Sequence, residues 1–394
     1  MAGVKIAENI YWVGAVDWNM KSFHGNTYTT KRGTTYNAYL IIDDKVTLVD
    51  TVYGPFAQEL INNIKEIIDP SKIDYIVANH VETDHSGALP EILKLCPKAK
   101  VYGTAKCKEG LYRYYYIDMD FNIIKSGDTL KTGKKTLTFL EAPMLHWPDS
   151  MFTYIAEDEL LMPNDAFGQH IATSKRFDDE IDKCALMEEA LKYYANILWP
   201  FSGLVQRKIE EVVAAKIPIR VIAPSHGIIW RTAPMDIINA YVKWAKNETR
   251  RKVVIAYETM WGATEKMALA MEKGLADSGV ETMLFDISKR DHTDVIGHML
   301  DAKGFLFGSS THDNNMLPNM AGFMEFFKGL KPKGRVAGAF GSYGWAGGAV
   351  KELEEIVKGA GVELVMPPIA ARFMPDVSEI KACYEYGKAF AQKL

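Results

Sequence analysis

The residues that most restrict this chain are His80-Val81-Glu82-Thr83-Asp84-His85, which follow the apolar run Tyr75-Ile76-Val77-Ala78 and lead into Ser86-Gly87-Ala88-Leu89-Pro90-Glu91. The apolar run reads as a strand and the following segment as a helix start. A single histidine beside a strand is ordinarily a packing or surface residue. Four metal-ligating side chains within six positions at a strand end reverse that expectation and make the loop a candidate metal site. Sulfur is not part of it: Cys96, Cys107, Cys184 and Cys383 are widely separated, and no C-x-x-C pair exists for a zinc ribbon or an iron–sulfur centre.

The pattern around this loop sets the organisation. At 394 residues the chain has room for two or three cores. The first half alternates short strands and helices: a β-run from Ile10 to Val16, a hairpin turned at Asp43-Asp44-Lys45, a helix from Pro55 to Ile68, further hairpins at Thr132-Gly133 and Glu157-Asp158, and helices over Asp182 to Asn196 and Gln206 to Ala215. Mixed strands interleaved with helices predict a layered α/β sandwich. Asn247-Glu248-Thr249-Arg250-Arg251 has no apolar periodicity and reads as a linker, so the expected domains are residues 1–248 and 252–394. Beyond it come five strands, Val253 to Tyr257, Thr282 to Ile287, Gly304 to Gly308, Arg335 to Phe340 and Val362 to Met366, each followed by a helix. That order predicts a doubly wound parallel sheet with its ligand beyond the carboxyl ends of the strands.

Composition removes other classes. Lys plus Arg number 46 against 50 for Asp plus Glu, a net charge of −4 that offers no phosphate-neutralising surface, so nucleic acid is not an expected partner. No stretch approaches the roughly 18 apolar residues of a membrane span, and Met1 to Glu8 show no basic region followed by an apolar run. The expected location is the cytoplasm, with no membrane partner.

The His80–His85 loop resembles that of the metallo-β-lactamase superfamily, H-x-H-x-D-H, with Glu82 in place of the second histidine. That replacement, together with Met144-Leu145-His146-Trp147-Pro148-Asp149-Ser150-Met151, Asn164-Asp165-Ala166-Phe167-Gly168-Gln169 and Ala223-Pro224-Ser225-His226-Gly227, is similar to the flavodiiron proteins, and the resemblance runs over essentially the whole chain. It implies a metallo-β-lactamase-like αββα sandwich followed by a flavodoxin-like domain. Carried over by residue, it implies one iron on His80, Glu82 and His146, a second on Asp84, His85 and His226, and Asp165 between them. It also places His24, Tyr193 and Tyr194 close to the metals, His24 and Tyr193 as candidate catalytic groups that donate hydrogen bonds or protons. His170, His292, His298 and His312 have no comparable ligand context and read as surface or packing residues. Independently of the resemblance, added carboxylates make a donor set harder and more anionic, which suits iron cycling between ferrous and ferric states better than an all-imidazole zinc site.

A second constellation lies at the strand ends of the second half. The first strand runs into Thr259-Met260-Trp261-Gly262-Ala263-Thr264 at a helix start, where backbone N–H groups and the helix dipole favour a phosphate. The segment resembles the flavodoxin loop T-x-T-G-x-T, with Trp261 at the third position. Ser309-Ser310-Thr311-His312-Asp313-Asn314-Asn315 and Gly341-Ser342-Tyr343-Gly344-Trp345 follow the third and fourth strands, small and polar enough for close approach to a flavin ring. Flavin mononucleotide (FMN) is the expected ligand.

A flavin releases electrons singly and two irons store two of them, so the union reads as a terminal reductase. The resemblance implies reduction of dioxygen to water or of nitric oxide to nitrous oxide, in a head-to-tail homodimer or homotetramer. The electrons would come from a rubredoxin-like protein or a reduced deazaflavin coenzyme, external because Leu394 closes a helix without a cysteine pair. Two other readings stand beside this one: a metal-dependent hydrolase of the metallo-β-lactamase superfamily with an incidental flavodoxin domain, and an electron-carrier flavoprotein.

Overall fold

The computed structural model describes residues 3–394; Met1 and Ala2, where the expected first domain begins, lie outside it. The chain forms two compact units, one reaching Tyr193 and resuming over Gly203–Val242, the other made of Tyr194–Ser202 and Lys243–Leu394.

The first unit is built on two sheets. One has seven strands in the order Val4–Ala7, Ile10–Trp12, Tyr39–Ile41, Val46–Val49, Ile73–Val77, Lys100–Gly103 and Phe121–Ile123, antiparallel up to Val46–Val49 and parallel beyond it. The other runs Thr129–Lys131, Thr136–Glu141, Met151–Ile155, Leu160–Met162 and Val221–Ile222. The period-two alternation of strand side chains sorts the core into layers. Leu40, Leu48 and Ile76 pack with Leu60, Ile64, Ile92 and Leu111 of the helices Ala57–Lys65, Leu89–Leu95 and Ala105–Tyr115. Their neighbours Tyr39, Ile41, Val49 and Val77 point the other way, onto Phe139, Met151, Ile155 and Leu160 of the second sheet. On that sheet's far side, Phe152 and Leu161 share a 350 Å³ apolar cavity with Ile209, Val212 and Ile238 of the helices Ser202–Ala214 and Pro234–Ala245. The result is the expected αββα sandwich, with the metal-ligand candidates on loops at the strand ends.

The second unit has the parallel order Glu281–Asp286, Arg250–Glu258, Ala302–His312, Val336–Tyr343, with two short strands, Glu363–Leu364 and Ile369–Arg372, both pairing with Val336–Tyr343. This is the flavodoxin-type order, in which a ligand crevice opens at the strand carboxyl ends.

Four local expectations change. The single β-run Ile10 to Val16 is two strands: Ile10–Trp12 stays in the large sheet, while Ala15–Asp17 leaves it to pair with Thr34–Tyr36. Gly14 permits the switch, because a Cβ there would collide with the Tyr36 carbonyl oxygen. The first strand of the second unit starts at Arg250, inside the expected linker, because Arg250 is paired with Glu281 and Asp301 and its backbone joins the ladder. The fifth strand, expected at Val362 to Met366, is split around Pro367-Pro368, which supply no N–H to a ladder. The helix expected through Asn196 ends as Lys183–Tyr193, followed by a π turn over Tyr194–Leu198. The residues after Tyr193 belong to the second unit because Asn196 Nδ2 donates to Thr293 O and Trp199 Nε1 to Asn247 Oδ1, both at 3.0 Å.

Phe139 is at the centre of the inter-sheet layer, 1% exposed. Phe139→Ala is expected to destabilise the first unit by about 3–5 kcal/mol, read as a lowered urea midpoint by tryptophan fluorescence. An unchanged midpoint would mean that the inter-sheet layer does not hold this unit together.

Candidate metal centre and cofactor cleft

The metal-ligand candidates are placed by a buried hydrogen-bond network. Asn79, at the end of strand Ile73–Val77, donates its N–H to Asp50 Oδ1 at 2.7 Å and its side-chain amide to Asp50 Oδ2 at 3.0 Å, and accepts from Thr153 Oγ1 at 2.7 Å. Asn164 donates to the same Asp50 Oδ2 at 3.2 Å. Asp50 therefore ties the residue before His80 to the residue before Asp165. From Asn164 the network continues to Ser225, whose N–H donates to Asn164 O at 2.8 Å and whose hydroxyl donates to Asp165 Oδ1 at 3.1 Å. Ser225 precedes His226, and Gly227 follows at φ +75, where a side chain would collide with Gln169. After His80, one helical turn over Thr83–Ser86 brings Asp84 and His85 inward.

All seven candidates converge. His80, Glu82 and His146 form one cluster, and Asp84, His85 and His226 another. Within the first, Glu82 Oε2 is 3.4 Å from His80 Nε2 and 3.5 Å from His146 Nε2. Within the second, Asp84 Oδ2 is 3.4 Å from His85 Nε2 and 3.2 Å from His226 Nε2. Asp165 faces both: Oδ2 lies 3.3 Å from His146 and 3.7 Å from His80, and Oδ1 lies 3.2 Å from His85 and 3.5 Å from His226. Donors about 2.1 Å from a cation stand roughly 3.0–3.4 Å apart in octahedral or tetrahedral arrangements, close to these edges. Each cluster can hold one cation with Asp165 between them. His85 Nε2 and Asp165 Oδ2 are buried without a hydrogen-bond partner, as atoms awaiting a metal would be.

Second partners fix which imidazole nitrogen faces inward. His80 Nδ1 donates to the Asp149 carboxylate at 3.0 Å, and His226 Nδ1 donates to Thr35 O at 2.7 Å, leaving each Nε2 for the centre. Without a cation the cluster balances itself with protons. Burial opposes a charge on His85, but Asp84 and Asp165 raise its pKa to about 9; burial likewise opposes charge on His80, which Asp149 and Glu82 hold well above the ordinary value. Burial would raise Asp165 and Asp84, yet the facing histidines keep both below the usual carboxylate range, and Glu82 is lowered in the same way by His24 and His80.

The remaining sequence candidates divide. His24 Nε2 is 3.5 Å from Glu82 Oε1 and its side chain is 37% exposed, so it stands at the rim of the cluster with its pKa raised by the Glu82 contact. Tyr193 is buried, 6.4 Å ring to ring from His226 and 5.2 Å from His170; burial and Asp165 raise its pKa well above 10, which favours the protonated phenol. Tyr194 is turned elsewhere, bonding Ser202 at 3.0 Å and packing on Trp244, because the π turn begins there. His170, read from sequence as surface or packing, is buried against the cluster, stacked on Phe23 at 4.6 Å and 4.8 Å from the His226 ring, with Nδ1 bonded to Thr34 Oγ1 at 2.8 Å. His298 stacks on Phe285 and His292 meets Phe323 edge-on, both packing contacts.

In the second unit a 650 Å³ cleft opens at the strand carboxyl ends. Met260, Trp261, Ala263, Ser310, Thr311, His312, Asp313, Asn314, Ser342, Tyr343, Gly344 and Trp345 line it as expected, joined by Ala346, Phe373 and Met374. Phe373 and Met374 follow the strand Ile369–Arg372 that the proline pair hid. Trp261 and Trp345 are 86% and 88% exposed and give the cleft an apolar rim. Thr259, Gly262, Thr264, Ser309, Asn315 and Gly341 do not line it. Thr264 instead lies beneath, its hydroxyl 3.0 Å from Ser310 Oγ and 2.9 Å from Ser342 Oγ, tying three loops together. Thr259 Oγ1 accepts from Gly262 N–H, and Ser309 Oγ from Leu317 N–H. An apolar rim over a hydroxyl-rich floor fits an aromatic ring carrying a polar tail. Among the described residues no helix is long and apolar enough to cross a membrane.

Residues 34–227 match the family described as ODP family beta lactamase, and residues 255–387 match flavodoxin. The chain is 53% identical over 393 residues to a nitric oxide reductase of Moorella thermoacetica, covering 99% of this chain and 98% of that protein. Among solved structures it is similar to the rubredoxin oxygen:oxidoreductase of Desulfovibrio gigas, with TM-score 0.97, 38% identity and coverage of 99% and 98% of the two chains. It is likewise similar to the flavodiiron protein of Giardia intestinalis, with TM-score 0.95, 36% identity and coverage of 100% and 97%.

The proton balance has a measurable sign. His85 folded, at about 9, lies above its unfolded value of 6.5, so its stabilisation is complete below pH 6.5 and is lost as pH rises towards 9. The lowered carboxylates contribute above about pH 4 and lose their contribution on acidification. The metal-free protein is therefore expected to show a urea midpoint that falls between pH 6.5 and 9. A midpoint that rises across that window would contradict the assignment. Metal binding should release protons, measurable by calorimetry in buffers of different ionisation enthalpy.

Proposed function

This chain belongs to the flavodiiron protein family, and from that premise we propose that it is an oxidoreductase reducing nitric oxide to nitrous oxide and dioxygen to water at a non-heme diiron site fed by FMN. The observation that carries the reading is the pair of three-residue clusters sharing the two oxygens of Asp165. We assign the first iron to His80, Glu82 and His146, the second to Asp84, His85 and His226, and the bridge to Asp165. The FMN belongs in the cleft rimmed by Trp261, Trp345 and Phe373. The iron chemistry is assigned to residues 1–248 and the flavin to 252–394. FMN in the cleft would supply two electrons one at a time, and an iron pair held by these residues would supply a redox centre for the diatomic gas.

The chain's own residues do the rest. Glu82, partly exposed, and the buried Asp84 and Asp165 place three negative charges in one site and so favour a pair of cations of high charge. Asp149 and Thr35 hold His80 and His226 in the tautomer that presents Nε2. His24, at the exposed rim beside Glu82, carries a proton in exchange with solvent and is placed to deliver it to the reduced gas. Tyr193 and the neutral His170 pack beside His226; burial, then the nearby His226, keeps His170 from charging. Both side chains are buried, so they pack against the cluster without adding charge. The hydrolase alternative is not favoured, since Glu82 replaces a neutral donor by an anionic one.

An electron donor is required, and we propose a rubredoxin-like protein or a reduced deazaflavin coenzyme meeting the flavin cleft. We also propose a head-to-tail homodimer or homotetramer, in which the exposed aromatic rim of the cleft is covered by another subunit.

The test is Asp165→Ala assayed for iron, flavin and gas consumption under anaerobic reduction. FMN content should stay at the parent value while iron falls below two per chain and turnover of both gases drops by at least about 100-fold. Full iron with parental turnover would refute the shared-carboxylate reading. A separate expectation concerns the flavin: Thr264→Val removes the hydroxyl that joins Ser310 and Ser342, and should weaken FMN binding by about tenfold with iron content unaltered.

A further inference from the structure

The two halves of the metal cluster match in their inner ligands and differ one hydrogen bond further out. Each half offers two imidazoles and one carboxylate, and each meets one oxygen of Asp165. Formal charge is therefore equal on the two sides. Behind the imidazoles it is not. His80 Nδ1 donates to Asp149, 3.0 Å from Oδ2 and 3.2 Å from Oδ1, and Asp149 is 2% exposed and held in place by the Val81 N–H at 2.7 Å. Across the site His226 Nδ1 donates to the uncharged carbonyl of Thr35, and His85 Nδ1 is buried with no partner.

An imidazole that donates its Nδ1–H to a buried carboxylate gains anionic character at Nε2 and becomes a stronger donor to a metal. Stronger donation stabilises the ferric over the ferrous ion, because the higher charge gains more from it. His24 and Asp50 also approach the cluster. His24 reaches Glu82 Oε1, the oxygen turned away from His80 and His146, and is partly exposed, so solvent weakens its opposing effect. Asp50 is buried and its charge acts across space on His85, a ligand of the other cluster, but its oxygens accept from Asn79 and Asn164 and it makes no hydrogen bond to a ligand imidazole. Among the described residues, Asp149 is the one carboxylate hydrogen-bonded behind a ligand imidazole.

Building on the diiron reading above, we infer that Asp149 is a positioning residue that makes the two irons unequal. The iron of His80, Glu82 and His146 is the last to be reduced and the first to be reoxidised. In the one-electron-reduced protein, the electron taken from the donor converts the iron of Asp84, His85 and His226 from ferric to ferrous, and the other iron stays ferric.

The experiment uses the full-length protein loaded with iron and FMN, titrated reductively and followed by EPR of the mixed-valence pair. Asp149→Asn keeps an acceptor oxygen for His80 and removes the charge. It should raise the potential of the second one-electron step and leave the first nearly in place. The comproportionation constant should then fall by about tenfold or more, with a matching loss of mixed-valence signal, and Asp149→Glu should restore both in part. Equal movement of the two steps, movement of the first alone, or no movement would overturn the inference. A measurement on the unaltered protein guards against loss of iron from the variant: site-resolved anomalous diffraction at the iron edge, on crystals poised at the mixed-valence potential. The His80-side iron should show the ferric edge and the His226-side iron the ferrous edge, and the reverse order or identical edges would overturn it. Parent protein that binds no iron pair would instead refute the functional reading on which the inference rests.

Discussion

Three hydrogen bonds converge on the buried carboxylate of Asp50, two from Asn79 and one from Asn164, and the geometry of the candidate metal centre depends on them. Asn79 belongs to the end of a strand in the seven-stranded sheet, and Asn164 follows the strand Leu160–Met162 of the five-stranded sheet. Asp50 thus couples the two layers where His80 and Asp165 leave them. An unpaired buried carboxylate would be costly, and three N–H donors satisfy it without placing a positive charge beside the metals. Ser225 extends the same network to His226, so ligands drawn from distant parts of the chain share one frame.

That frame concentrates charge of one sign. Three carboxylates meet four imidazoles inside a low-dielectric pocket, and the set is stable only when protons or cations compensate it. The electrostatics favour protons on His80 and His85, whose pKa values the facing carboxylates raise, and favour the ionised form of Asp165. Two cations would displace the protons and use the same donor atoms. The flavin cleft is organised differently, by hydroxyls and exposed aromatics, and needs no such charge balance.

Both halves of the architecture were readable because their periodicities differ, mixed strands and hairpins in the first and strict strand–helix alternation in the second. The His80–His85 loop was readable because its donors are contiguous. His146, Asp165 and His226 entered through family resemblance, and the geometry brings all three to the cluster. Asp50, Asp149, Asn164 and His170 carried no local signal: Asp149 meets His80 across 69 positions and Asn164 meets Asp50 across 114, separations that no sequence window spans. The motif around Trp147 and Asp149 marked the segment without revealing which residue stands behind His80. Phe373 and Met374 were hidden by Pro367-Pro368, which interrupt the strand that delivers them to the cleft. Tyr193 and Tyr194, adjacent in the chain, part at a π turn that helical periodicity does not foresee.

The central claim is that the two clusters hold two irons joined through one carboxylate. Mössbauer spectroscopy of the oxidised protein enriched in ⁵⁷Fe, at liquid-helium temperature in an applied field, tests it most directly, because two bridged ferric ions couple antiferromagnetically to a diamagnetic ground state. Nearly all protein-bound iron, two per chain, is expected to show that diamagnetic spectrum. Magnetically split spectra of isolated ferric ions, or protein that holds zinc in place of iron, would contradict it.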